Sequence, residues 1–239
     1  PRLVGEFQDR RRPRDIRFGS GDQVSVTIFE AGSGGLFIPA EAGVRPGNFV
    51  TIPTQAVDER GNISVPYAGD IRARGRTASE LQNEIVNALK NRAFEPQVVV
   101  TRVGQETSMV NVVGDVVAPG RIPARQTAER ILDTLARAGG PRGQGPDEWI
   151  MLDRGGRRAM SPFGALLYEP SNNIYTHPED TIFLYREPQT FLTFGALGTQ
   201  QQIPFSAWRV SLAEAVAKAG GLQDGAADPT SVFLYRGET

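Results

Sequence analysis

Ala136-Arg137-Ala138-Gly139-Gly140 reappears as Ala217-Lys218-Ala219-Gly220-Gly221, with Gly139 and Gly220 separated by 81 positions. At that same offset, without gaps, Gly114 meets Gly195, Ile122 meets Ile203 and Pro123 meets Pro204. Seven of the 27 positions from 114 to 140 are identical, against about two expected from average residue usage. One residue further out of step, Met151-Leu152-Asp153-Arg154-Gly155 meets Phe233-Leu234-Tyr235-Arg236-Gly237. Each copy reads as strand, turn, strand, helix, Gly-Gly, loop, strand. Ile131, Leu132, Leu135 and Ala138 make the apolar stripe of the first helix, and Leu212, Ala215, Val216 and Ala219 that of the second. Ser211 and Glu214 have capping-box spacing. Gly139 and Gly220 fall just past the helix ends, where a left-handed backbone costs glycine nothing. One amphipathic helix on a small curved sheet is a β-grasp arrangement. The second copy lacks residues matching Ser161 to Tyr185.

Upstream the texture differs. Val24, Val26 and Ile28 alternate with polar residues, the period of a half-buried strand, after a turn at Gly21-Asp22. Ala31 to Gln55 is rich in Gly and Pro and reads as a long loop. Glu59 to Asn62 and Tyr67 to Asp70 read as turns around short strands at Ile63–Pro66 and Ile71. Thr77 and Glu80 form a second capping box, ahead of Leu81, Ile85, Ala88 and Leu89 on one helical face. Pro96 ends the helix, and Val98, Val100 and Val103 make the next strand. This is a small α+β unit ending near Gln105. Pro1 to Arg17 is arginine-rich and reads as a solvated connector.

The composition excludes much. The 239 residues contain no cysteine, so disulfides, Cys-based zinc sites, iron–sulfur clusters and thiol nucleophiles are out. The net charge of −1 gives no global field for nucleic acid. Of the 26 basic residues only Lys90 and Lys218 are lysines. No apolar run is long enough for a membrane-spanning helix. The chain starts at Pro1 and reads as a trimmed piece of something longer.

These residues resemble the outer-membrane polysaccharide export family, the Wza-like translocons of capsule and exopolysaccharide. The first unit is similar to the polysaccharide-export domain through Gly19-Ser20-Gly21-Asp22-Gln23-Val24-Ser25-Val26. Val57 to Gly69, including Gly61, Pro66 and Gly69, Gly75-Arg76-Thr77 and Pro96 to Val100 complete that match. The two copies resemble the SLBB domain, a β-grasp module. Val113 to Val116, Pro119-Gly120, Ala138-Gly139-Gly140 and Pro178 to Leu184, with Asp180, carry the first match, and Phe194-Gly195-Ala196-Leu197 through Ala219-Gly220-Gly221 the second. Val232 to Arg236 resembles the last strand of the second SLBB unit in capsule exporters.

The resemblance implies an α+β protein with a connector at 1–17, an export domain at 18–106, a first SLBB domain at 107–189 and a truncated second one at 190–239. The connector is expected to pack back on the SLBB units. The resemblance further implies a homo-oligomeric ring in the periplasm and outer membrane of a Gram-negative bacterium. Its partners would be an inner-membrane polysaccharide co-polymerase and the polysaccharide in transit. The residues that line the path are unknown at this point. Gly21, Asp22, Gly61, Pro66, Gly69, Gly114, Gly139, Gly140, Asp180, Gly195, Gly220 and Gly221 are expected to be structural, with no catalytic, metal or cofactor site.

The residues themselves leave other functions open. His177, the only histidine, has no second histidine or cysteine with which to share a metal, and suits a turn before the strand Thr181–Tyr185. A glycosidase needs only two carboxylates, and Asp22, Glu30, Asp58, Glu59, Asp147, Glu148, Glu179 and Asp180 qualify by type. Trp149, Trp208, Tyr67, Tyr175 and Phe163 offer faces for sugar rings or belong to cores and interfaces. An export-channel subunit, a monomeric carbohydrate-binding module and a glycan-cleaving enzyme are therefore the three expectations to weigh.

Overall fold

The computed structural model describes residues 3–7, 15–31, 36–37, 49–125, 127–143, 145–207 and 209–235. Most of the Ala31–Gln55 stretch before Phe49, arginines 10, 11, 12 and 14, Trp208 and Arg236 to Gly237 lie outside the described residues.

The chain builds two hydrophobic cores. The first belongs to a three-stranded sheet, a β-hairpin and one helix. β1 (Gln23–Phe29) is central, flanked by β2 (Phe49–Ala56) and β5 (Gln97–Gly104), both antiparallel to it. β3 (Asn62–Val65) and β4 (Gly69–Arg72) pair with each other through a turn at Pro66 to Ala68. α2 (Ala78–Leu89) opens with the expected capping box, Thr77 accepting from Glu80 N–H while the Glu80 carboxylate receives Thr77 N–H. Leu81, Ile85 and Leu89 form its buried row against Val24, Val26, Ile28, Ile63, Val98 and Val100. Ala88 lies outside that row and is exposed, as is Val103, whose odd position puts it with Val99 on the open side of β5.

β2 replaces the end of the expected long loop. It is an edge strand with a bulge: Val26 pairs with Ile52 and Val24 with Gln55, so Pro53 and Thr54 together face Ser25. A bulge on an edge is where a strand tolerates proline, because no ladder donor is lost there.

The second core sits under a five-stranded mixed sheet in the order β7-β6-β10-β8-β9. Its strands are β6 (Met109–Gly114), β7 (Gly120–Pro123), β8 (Glu148–Arg154), β9 (Arg157–Pro162) and β10 (Thr181–Arg186), with β10 parallel to β6 and antiparallel to β8. α3 (Ile131–Arg137) covers one face through Ile131 and Leu135, followed by Ala138, and α4 (Phe163–Tyr168) adds Ala165 and Leu166. α1 (Leu3–Glu6) also packs here: Leu3 and Phe7 are buried in this core, a hundred residues downstream of their place in the chain.

The second copy is thinner. β11 (Thr190–Leu192) and β12 (Gln202–Pro204) pair as a hairpin, and α5 (Leu212–Lys218) carries the Ser211–Glu214 capping box. Ala219, just past the end of α5, is buried, but no residue of α5 itself is. Of the strand expected at Val232 to Arg236, the described residues 232–235 form no ladder. The first copy explains why. There β8 lies between β10 and β9, and among the described residues there is no second set of those strands.

Candidate functional site

Asp22 ends the turn before β1 and is fully buried. One carboxylate oxygen accepts Glu106 N–H and Thr107 N–H, both at 2.9 Å, and the other accepts Gly19 N–H at 3.0 Å and the Thr107 hydroxyl at 2.8 Å. Arg102 Nε stands 3.9 Å away, its guanidinium 4.3 Å over the Phe18 ring. Burial pushes the Asp22 pKa up, but the hydrogen bonds from Thr107, Gly19 and Glu106 together hold it below the ordinary value,. Burial lowers that of Arg102. The cluster ties the start of the first unit to the segment that leaves it for β6.

Asp180 does the same for the second core. Arg154 grips it with two nitrogens, at 2.8 and 2.7 Å, and His177 N–H donates to it at 2.7 Å. This bidentate fork fixes both charge and orientation. His177 stands just before the turn at Pro178-Glu179, as its sequence context implied.

Glu148, at the start of β8, is buried against Arg186, whose Nε lies 3.1 Å from it and 2.8 Å from Asp115. Burial pushes the Glu148 carboxyl above its ordinary value despite that arginine. Gly143 passes close enough that a Cβ there would overlap the Arg186 guanidinium.

The remaining carboxylates of the sequence are also placed. Glu30 accepts Leu36, Phe37 and Phe94 N–H, Asp58 accepts Asn62 N–H, and Glu59 and Glu179 are exposed in turns. Asp147 borders a cavity of about 110 Å³ between β10 and the second copy, lined also by Pro146, Pro188, Gln189, Pro204 and Phe205. Small-molecule sites are typically about 300–1,000 Å³. Among the described residues no group of three or more His, Asp or Glu is placed to hold a metal ion. The carboxylates that sequence type offered as a catalytic pair thus serve mainly as backbone acceptors and ion-pair partners.

The glycines named from sequence, Gly21, Gly61, Gly69, Gly114, Gly139, Gly140, Gly195, Gly220 and Gly221, all have positive φ, and Pro66 opens the β3–β4 turn. The aromatics do not converge. Tyr67 meets Phe37 edge-on at 5.2 Å, Tyr175 lies under Arg130 at 4.7 Å, and Phe163 packs on the second core. Trp149 lies on the opposite, open face of the five-stranded sheet. Its neighbours there, Phe183, Tyr185, Met151 and Met160, were missed in the sequence. The readable signal was that Trp149 to Asp153 and Thr181 to Tyr185 are apolar at both parities.

The fold and its contents define a modular α+β scaffold, two cores clamped by buried carboxylates. Residues 10–102 match the family described as Polysaccharide biosynthesis/export protein, and residues 206–239 match the SLBB domain. At residues 10–102 the chain thus carries a polysaccharide-export family domain, and at 206–239 an SLBB domain. It is 35% identical over 218 residues to the capsule polysaccharide export protein BexD of Haemophilus influenzae, covering 90% of this chain and 55% of that protein. It is 35% identical over 220 residues to the capsule polysaccharide export outer membrane protein CtrA of Neisseria meningitidis serogroup B, covering 90% and 56%. The Vi polysaccharide export protein VexA/TviF of Salmonella typhi is 31% identical over 220 residues, 90% of this chain and 60% of that one. The chain spans a little over half the length of these curated relatives. Among the described residues no helix is long and apolar enough to cross a membrane.

Proposed function

We propose that the chain is the periplasmic body of an outer-membrane channel subunit that exports capsular or extracellular polysaccharide. The observation that carries this is the 35% identity to capsule exporters across 90% of the chain. The subunit forms a homo-oligomeric ring in a Gram-negative envelope and works as a conduit rather than an enzyme. A conduit must let its polymer enter and leave, so strong discrete binding is disfavoured. The small cavity and the carboxylates committed to backbone amides support that reading. Energy comes from elsewhere, through polymer synthesis and an inner-membrane co-polymerase. Four segments divide the work: a tether at 1–17, an export domain at 18–106, and SLBB domains at 107–189 and 190–239. The glycine, Asp22 and Asp180 positions shape turns and junctions. Deleting the gene and restoring it tests the proposal. Surface polymer is expected to vanish and return, and polymer accumulating normally at the cell surface without the gene refutes it.

A further inference from the structure

Trp149, Met151, Met160, Phe183, Tyr185 and Val113 share the face of the five-stranded sheet opposite α3 and α4. The register makes them neighbours: Tyr185 faces Trp149, Phe183 lies between Met151 and Val113, and Met151 faces Met160. Met160 is 49% and Val113 37% exposed. Polar pairs rim the patch, Arg158 with Asp153 at 2.8 Å and Asn111 with Thr181 at 3.3 Å. An apolar centre with a polar rim is the layout of a protein interface. The Phe183 and Tyr185 rings stack on each other at 5.4 Å and 13°, so one face of each is already occupied. The Tyr185 hydroxyl donates to the Met160 sulfur at 3.2 Å, and methionine adapts its shape to a packing partner.

A second apolar patch lies on the other side of the same unit. α4 packs on β8 and β9 with Ala165 and Leu166 inward. Two residues past Leu166 is about 200° around a helix, and Leu167 and Tyr168 are 52% and 70% exposed. A twofold contact buries one patch against its own copy and leaves the other open. A head-to-tail contact covers both at each junction.

We infer that the open sheet face receives α4 of the next copy of this chain, joining subunits head to tail. The inference rests on the ring reading above and names its contact. Four strands about 4.8 Å apart and about 20 Å long present some 400 Å², less than the roughly 800 Å² per partner of stable complexes. That area is too small for a lone dimer and suits a contact repeated around a closed ring.

Residues 1–239 contain no cysteine, so no native thiol of this segment competes in disulfide trapping. Met160→Cys and Leu167→Cys are introduced together, and each alone, into the full-length encoded protein. Under mild oxidation the double variant is expected to give a ladder beyond the dimer, and the single variants to match the parent. Leu167→Glu is expected to weaken assembly at least tenfold by light scattering with an unchanged circular dichroism spectrum. A disulfide-linked dimer of the Met160→Cys single variant overturns the inference. So does protection of that variant's introduced thiol from a thiol reagent by capsular polysaccharide fragments. Rings and normal export without the ladder overturn the contact and leave the channel reading standing. A full-length protein that stays monomeric overturns both.

Discussion

Gly114 ends β6 at φ +92°, and a Cβ there would overlap the Leu184 carbonyl oxygen and press on the Phe183 ring. Neither neighbour can move without breaking the parallel ladder to β10. Gly114→Ala is therefore expected to cost about 3 kcal/mol, and an unchanged urea midpoint contradicts this. Two buried carboxylates respond to acid with opposite signs. The folded pKa of Asp22 lies below 3.8, so its contribution is complete above that value and is lost as pH falls through the folded value. The folded pKa of Glu148 lies above 4.5, so the cost of burying its charge is complete above the folded value and fades as pH falls toward 4.5. Asp22→Asn is expected to lose about 1–3 kcal/mol at pH 7, with the deficit shrinking below pH 3.8. Glu148→Gln is expected to match or exceed the parent at pH 7 and to lose that advantage by about pH 4. Denaturation at pH 7, 5 and 3 reads both. Asp180 and Asp22 were visible in the sequence as motif residues. Their partners were not, because Arg154, Glu106 and Thr107 reach them only through the fold.

Helices α3 and α5 occupy matching places in the repeat, yet Leu135 is buried and its counterpart Val216 is half-exposed. Leu135→Ala is expected to cost about 2–5 kcal/mol and Val216→Ala under about 1 kcal/mol, read by thermal denaturation. Equal losses contradict the claim that α5 is less buried than α3. The elements that announce themselves locally were legible: both capping boxes, the Val24–Ile28 alternation and the glycine stops after α3 and α5. β2 was hidden because Pro53 in a Gly/Pro-rich stretch reads as a breaker, and only its edge position and bulge reconcile it with pairing. The strand expected at Val232–Arg236 has the right side chains. A strand is made by its neighbours, and among the described residues it has none.

Leu3 and Phe7 belong to the second core although the first core intervenes in sequence. Phe7→Ala is expected to cost about 3 kcal/mol. It should speed hydrogen exchange in β8, β9 and α4 while leaving β1 to β5 unchanged. Faster exchange spread evenly over both units contradicts that separation. The whole-molecule order was legible through the repeat and the motifs, whereas the return of the N-terminus onto a distant sheet has no local signature.

That return has a mechanical consequence. The chain crosses from the second core to the first after Phe7 and crosses back at Glu106-Thr107, where Asp22 fastens it. The two units are thus joined at two places along the chain rather than one, and a joint made twice resists twisting of one unit against the other more than a single linker would.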